Sequence, residues 1–255
     1  MADRNLPVRT GNPGLNERTF AGLPRAAVGE AMTLQGTINK SFLLLVVLLA
    51  TALYPWSLFM ASGNPADVSV PMVVGLFGGL ILALVISFKT TMAPYLSIPY
   101  AACEGLAIGG ISAILERKYP GVAIQAVGLT FGVLAALLFA FTSRLIRVTQ
   151  RFRAIVVGAT LGIALFYLVT MVLGFFHVNA AGGLMNGSST LSIIVSLVVV
   201  GVAALNLVLD FDMIETGVSV GAPKYMEWYS AFGLLVTLVW LYMEILRLLT
   251  KFRDR

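Results

Sequence analysis

Four carboxylates lie within or at the edge of long apolar runs: Glu104, Asp210, Asp212 and Glu244. An acid at the centre of a membrane helix costs about 2.5 to 3.5 kcal/mol on insertion scales, so it persists where it faces a cavity, a partner or an ion path. The chemistry open to such groups is the binding and release of protons or cations. Glu104 sits near the middle of its run. Asp210 and Asp212 are two apart, about 200° round a helix from each other, so both serve one site only if the helix ends there. Asn206 and Asp210, four apart, share a face. Glu244 has Arg247 and Lys251 following on its own face. Each acid also has a plainer reading. Glu104 could be a protonated acid bonded to a backbone carbonyl, because burial disfavours the charged form. The aspartates could be ordinary polar ends at the membrane interface, and Glu244 a salt-bridged, snorkelling helix end.

The other eight acids, Asp3, Glu17, Glu30, Asp67, Glu116, Glu215, Glu227 and Asp254, fall in tails or loops and read as solvated charges. One cysteine and one histidine exclude a disulfide framework, a CxxC redox pair and a Cys- or His-rich zinc site. HExxH, GxSxG, Walker and GxGD signatures are absent. His177 falls at the edge of an outer loop with no Ser or Cys beside it to activate. Asn186-Gly187-Ser188 matches a glycosylation sequon but reads more simply as a turn. Neither catalysis, a cofactor nor a fixed metal site is expected.

The elements that hold these acids follow from composition. Of 255 residues, 58% are hydrophobic and 11% charged, whereas a soluble domain keeps about 25% charged. The chain therefore reads as all-α and polytopic, with the lipid bilayer as its surroundings. Its seventeen basic residues against twelve acidic ones suit loops anchored to anionic lipid rather than nucleic acid. A span needs about 20 apolar residues, and seven runs qualify: Ser41 to Met60, Val70 to Phe88, Tyr95 to Leu115, Val122 to Thr142, Ala154 to Phe176, Thr190 to Leu209 and Tyr229 to Leu249. The third is the weakest, since it carries Pro99, Cys103 and Glu104. Residues 1–40 are expected to be a mostly disordered tail, with a short surface helix available to Ala26 to Lys40. Residues 41–250 form the seven-helix domain, and 251–255 a short basic tail.

Basic residues in short loops stay in the cytoplasm. With the N-terminus inside, that side holds Arg4, Arg9, Arg18, Arg25, Lys40, Lys89, Arg144, Arg147, Arg151, Arg153 and Lys224. Arg117 and Lys118 face out. Arg247, Lys251, Arg253 and Arg255 also fall outside, against the rule, and a last segment that dipped in and returned would bring them back. Small residues spaced four apart allow close helix approach in lipid. Such stripes occur at Gly75, Gly79 and Ala83; at Ala101, Gly105, Gly109 and Ala113; at Gly128, Gly132, Ala136 and Ala140; and at Ala154, Gly158 and Gly162. Trp56, Trp240 and Tyr242 read as interfacial anchors.

Three segments carry a resemblance: Pro-Tyr-Ala-Ala-Cys-Glu-Gly-Leu-Ala-Ile-Gly in the third span, Leu-Val-Leu-Asp-Phe-Asp-Met-Ile-Glu closing the sixth, and Leu-Leu-Val-Thr-Leu-Val-Trp-Leu-Tyr-Met-Glu-Ile-Leu-Arg-Leu-Leu in the last. Over about Thr33 to Leu249 the chain resembles the Bax inhibitor family, the transmembrane Bax-inhibitor-motif proteins, and most of all a bacterial branch. The resemblance implies a seven-helix fold with the last helix near the centre, in a cell membrane, here a bacterial inner membrane. It also implies pH-sensitive passage of calcium or other cations through a pair of buried carboxylates, one late in the sixth helix and one in the seventh. Asp212 matches the first. Thr237 stands where other members carry the second, and it cannot ionise. Glu244, two turns further along the same face and about 10 Å away, and Asp210 are the candidate substitutes.

Three functions are open to such a chain. One is a cation leak channel or exchanger using Asp212, Asp210, Glu104 and Glu244, supported by Thr237 and Asn206. Four acids on three helices suit a transient path rather than a tight calcium cage, which needs six to eight oxygens. The second is a proton-coupled transporter, for which inverted repeats are expected and not found. The third is a regulator that binds another membrane protein, such as a membrane protease, and needs none of the acids.

Overall fold

The computed structural model describes residues 31–175, 187 and 189–254. The disorder expected of residues 1–30, His177, and Asn186 and Ser188 of the sequon lie outside them. Among the described residues seven helices are long and apolar enough to cross a membrane: α1 Leu34–Ser62, α2 Pro65–Phe88, α3 Ala93–Lys118, α4 Val122–Thr142, α5 Gln150–Phe175, α6 Thr190–Ser219 and α7 Met226–Arg253. A 3-10 turn, Thr90–Met92, leads into α3.

The helix ends are written locally. Thr33 caps α1, its Oγ1 accepting from Gly36 N at 3.0 Å, and Gly63 closes the helix in the left-handed region at φ +70°. Asn64 caps α2, with Pro65 in the first turn where its missing N–H costs nothing. Glu116 of α3 reaches over the turn, its carboxylate accepting from Gly121 N at 2.6 Å and Ala123 N at 2.9 Å. An anion is thereby set on the N-terminal end of α4, where the helix dipole favours it.

Two boundaries differ from expectation. Leu34 to Lys40 continue into α1 and form no separate surface helix, because Thr33 supplies the cap. Lys251 to Arg253 belong to α7 and not to a tail. That last helix is continuous and does not dip and return. Met32 N donates to Ala222 O at 2.6 Å, which puts the start of α1 at the α6–α7 turn. Arg253 Nη1 donates to Pro120 O at 2.6 Å, which puts the end of α7 at the α3–α4 turn. The two ends of the described chain thus lie at opposite ends of the bundle.

α7 packs against α1, α3, α4 and α6, and carries buried residues from Met226 to Lys251. It is the central helix. α5 is its opposite: only 6% of its apolar stretch is buried, and among the described residues its one substantial neighbour is α6. Two of the four small-residue stripes make the expected close approaches. A Cβ on Gly75 of α2 would lie 2.5 Å from Cys103 O and 2.6 Å from Ala107 N of α3. One on Gly109 of α3 would lie 2.7 Å from Ala52 Cα of α1, and one on Gly105 would overlap Thr51 Oγ1 and Leu48 O.

The stripes on α4 and α5 do not pack as expected. Nothing among the described residues lies within 4 Å of a Cβ built on Gly128, Gly132, Gly158 or Gly162. On α4 the buried positions include Ala126 and Thr130, each two residues and so about 200° from a stripe glycine. Small residues permit a close approach, but they do not supply a partner.

Candidate functional site

α6 runs on to Ser219 rather than ending at Leu209, so Asp210 and Asp212 stay on helix and point to different neighbours. Asp210 turns to the centre of the bundle, where the Thr237 hydroxyl of α7 lies beside its carboxyl. Its Oδ2 is buried with no hydrogen-bond partner among the described residues. Thr237 Oγ1 also bonds back to Gly233 O at 3.2 Å. Asp210 lies nine residues before the end of α6, about 14 Å along the helix. A buried oxygen with no donor is a costly arrangement. A proton, a cation or a buried water relieves it.

Asp212 turns away to α5 and forms an ion pair with Arg153. Both side chains are largely covered, 18% and 21% exposed. One turn nearer the helix end, Glu215 takes a two-point contact from Arg144 of the α4–α5 loop, with Nη1 donating to Oε2 at 3.2 Å and Nη2 to Oε1. That carboxylate holds the Arg144 guanidinium above its ordinary pKa by hydrogen bonding. Arg144 has a left-handed backbone, φ 59°, uncommon for a side-chain-bearing residue. The loop that reads as cytoplasmic anchoring in sequence thus fastens onto the end of α6.

The remaining candidates are dispersed. Asn206 Nδ2 donates to Thr160 Oγ1 of α5 and to Val202 O, each at 2.8 Å, so it joins two helices rather than reaching Asp210. Glu104 lies beside the Tyr100 hydroxyl one turn back on α3 and faces α2, where a Cβ on Gly79 would lie 3.1 Å from its Oε1. Tyr100 in turn meets Phe232 of α7 edge-on, ring centres 4.8 Å apart. Glu244 is buried and satisfied. Tyr167 Oη donates to its Oε1 at 2.8 Å, and Arg247 Nη1 lies 3.1 Å from both oxygens. The geometry at Glu244 is that of the salt-bridged alternative, in a buried setting. Among the described residues no cluster of three or more His, Cys, Asp or Glu side chains could hold a metal.

One acid is placed quite differently from its sequence reading. Glu227, expected as a solvated loop charge, is fully buried at the start of α7 and ion-paired with Lys40. It also accepts from Thr33 N and Thr33 Oγ1, each at 2.9 Å. Thr33 begins α1, so the carboxylate ties the first helix to the last and lies on a positive helix end. The available signal was the pairing of a threonine cap with an acid just outside an apolar run. No spacing rule links residues 194 apart in the chain.

A family model described as Bax inhibitor 1 like matches residues 12–254. No curated protein and no solved structure matches the chain.

Proposed function

Because the chain belongs to the Bax inhibitor 1 like family, we propose that it is a pH-sensitive path for cations, calcium among them, through a cell membrane, with Asp210 as the group that binds and releases the ion or proton. The observation that carries this reading is the Asp210 carboxyl, set between α6 and the central helix with one buried oxygen unfilled. An ionisable group at such a position has a functional role by default. Asp210 and Thr237 together offer three side-chain oxygens, fewer than the six to eight that calcium takes in a tight site. That favours transient occupancy over storage. When ionised, Asp210 attracts a cation; when protonated, it does not, and passage then depends on pH.

The Asp212–Arg153 pair lies nearer the loops than Asp210, and its two charges compensate each other. On this proposal Asp212 and Arg153 hold α5 against α6, while Asp210 handles the ion. Glu104 and Glu244 stand outside this site as built, each with its own partners. Transport rather than catalysis is the role proposed.

We place the protein in the bacterial inner membrane with its N-terminus cytoplasmic. Lys89, Arg144, Arg147, Arg151, Arg153 and Lys224 belong to that end, as basic residues of cytoplasmic loops do. The test of function is calcium and monovalent flux from liposomes holding the purified protein, measured between about pH 5 and 8, where a buried carboxyl titrates. Wild type should pass cations with a clear pH dependence, and Asp210→Asn should fold and flatten it. Unchanged dependence in Asp210→Asn would sink the assignment. Folded wild type without flux at any pH would favour the regulator that binds another membrane protein.

A further inference from the structure

α1 and α4 both pack on the central helix α7, yet they make no substantial contact with each other among the described residues. The gap between them opens into a cavity of about 600 Å³, floored by α3 and α7. Leu49 and Leu53 of α1 and Ile124 and Phe131 of α4 stand at its rims, exposed where lipid would be. Along α1 the cavity runs from Leu45 to Trp56, about 16 Å, and along α7 from Leu235 to Tyr242, about 10 Å.

Its floor is apolar except for one pair. Ser112 Oγ of α3 and Tyr242 Oη of α7 lie 2.7 Å apart, and the two residues are only 4% and 9% exposed. Two hydroxyls carry two protons, and the bond between them uses one. The other proton has no acceptor among the described residues. Glu116, one turn further along α3, is the one charged residue in the lining, and its oxygens already accept from Gly121 N and Ala123 N. A buried donor without an acceptor is costly. The missing acceptor must come from whatever fills the cavity, and with no cation in the lining that group is neutral.

Depth narrows its identity. Thr90–Lys118 is 29 residues long, about 43 Å, the thickness of a bilayer with its headgroups. Ser112 lies six residues, about 9 Å, from the Lys118 end, whereas each headgroup layer is about 5 to 7 Å deep. The hydroxyl pair therefore stands just inside the apolar layer, the level at which ester carbonyls join phospholipid headgroups to their chains. From there the cavity descends toward the midplane.

We propose that the cavity holds one acyl chain of a membrane phospholipid, which enters between α1 and α4 and whose ester carbonyl accepts the spare proton of the Ser112–Tyr242 pair. Neither Asp210 nor Thr237 lines the cavity, so the proposal stands or falls independently of the transport reading.

The experiment titrates delipidated protein in detergent with diester phosphatidylcholine or its diether analogue of the same chains, counting bound lipid by native mass spectrometry. The analogue keeps headgroup and chains but lacks the carbonyl. Wild type should bind the diester about fivefold more tightly, the worth of one neutral hydrogen bond. The double change Ser112→Ala with Tyr242→Phe removes both hydroxyls, leaves no orphan donor, and should level the two affinities. Val127→Phe, which adds bulk inside the cavity, should lose the tight binding, while Leu129→Phe on the exposed face of α4 should keep it. Equal affinities in wild type would leave the spare proton to water and overturn the proposal. An ester preference that survives the double change, or tight binding undiminished in folded Val127→Phe, would overturn it as well.

Discussion

Thr237 of α7 lies beside Asp210 of α6 and not beside Asp212, which is turned to Arg153 on the other side of the helix. Matching motifs by family pattern pairs Thr237 with Asp212. Helical periodicity decides otherwise, because residues two apart face nearly opposite ways and α6 runs unbroken through both. An aspartate at position 237 would therefore stand next to Asp210. In Thr237→Asp the two carboxylates should titrate as a coupled pair, giving two apparent steps in the pH profile of flux where wild type gives one. Mutual repulsion should also lower thermal stability at high pH relative to low pH, where protonation removes one charge. A single step with pH-independent stability would mean that the two positions are not adjacent.

Asp212→Asn should act on stability more than on the pH profile. It leaves the largely covered Arg153 without its charged partner, at a cost of about 1.5 to 3 kcal/mol. Adding Arg153→Gln should return part of that loss, since the unpaired charge is then gone. Melting temperatures in detergent for the two single variants and the double variant would measure the coupling. Additive losses would rule it out.

The two glycine stripes of α3 and α4 should separate cleanly. Gly109→Leu drives a side chain into the backbone of Ala52 and should cost about 1 to 3 kcal/mol or more. Gly132→Leu puts the same side chain into open space and should be neutral or slightly stabilising, as leucine favours helix over glycine. Comparable melting temperatures for the two variants would contradict the packing described.

Glu227 should tolerate little change. Glu227→Ala strands Lys40 and removes the acceptor of two Thr33 bonds, and breaking such a buried pair typically costs about 3 to 5 kcal/mol. Glu227→Gln keeps an acceptor and should fall between. Limited proteolysis near Thr33, read alongside melting temperature, should show the start of α1 released in the alanine variant. Protection equal to wild type would show that the clamp is dispensable.

Membrane orientation is testable with cysteines placed after Cys103→Ser. Impermeant reagent added outside intact cells should spare positions in the Arg144 to Arg153 loop. It should label Gly187→Cys and Asp254→Cys, which belong to the opposite end by the count of seven crossings. Labelling of the loop with sparing of the other two would invert the topology.

Composition and run length by themselves determined that the chain is a bundle of apolar helices, because 58% of its residues are hydrophobic and 11% charged, and its seven apolar runs are about 20 residues long, twice what a barrel strand needs. Caps at Thr33, Asn64 and Ser189 and the turn at Pro120–Gly121 are likewise local, set by residues that touch their own neighbours. Which partner each acid meets depended on distance in space. Asp210 and Asp212 have nearly the same sequence surroundings, and only the placement of α5 and α7 on opposite sides of α6 leaves one with an unfilled oxygen and the other with an arginine. Glu227 looked solvated because its partners, Thr33 and Lys40, are almost the whole chain away. Stripes of small residues were visible, but whether a helix or lipid covers them is decided by how whole helices stack. Gly109 found Ala52, and Gly162 found a cavity.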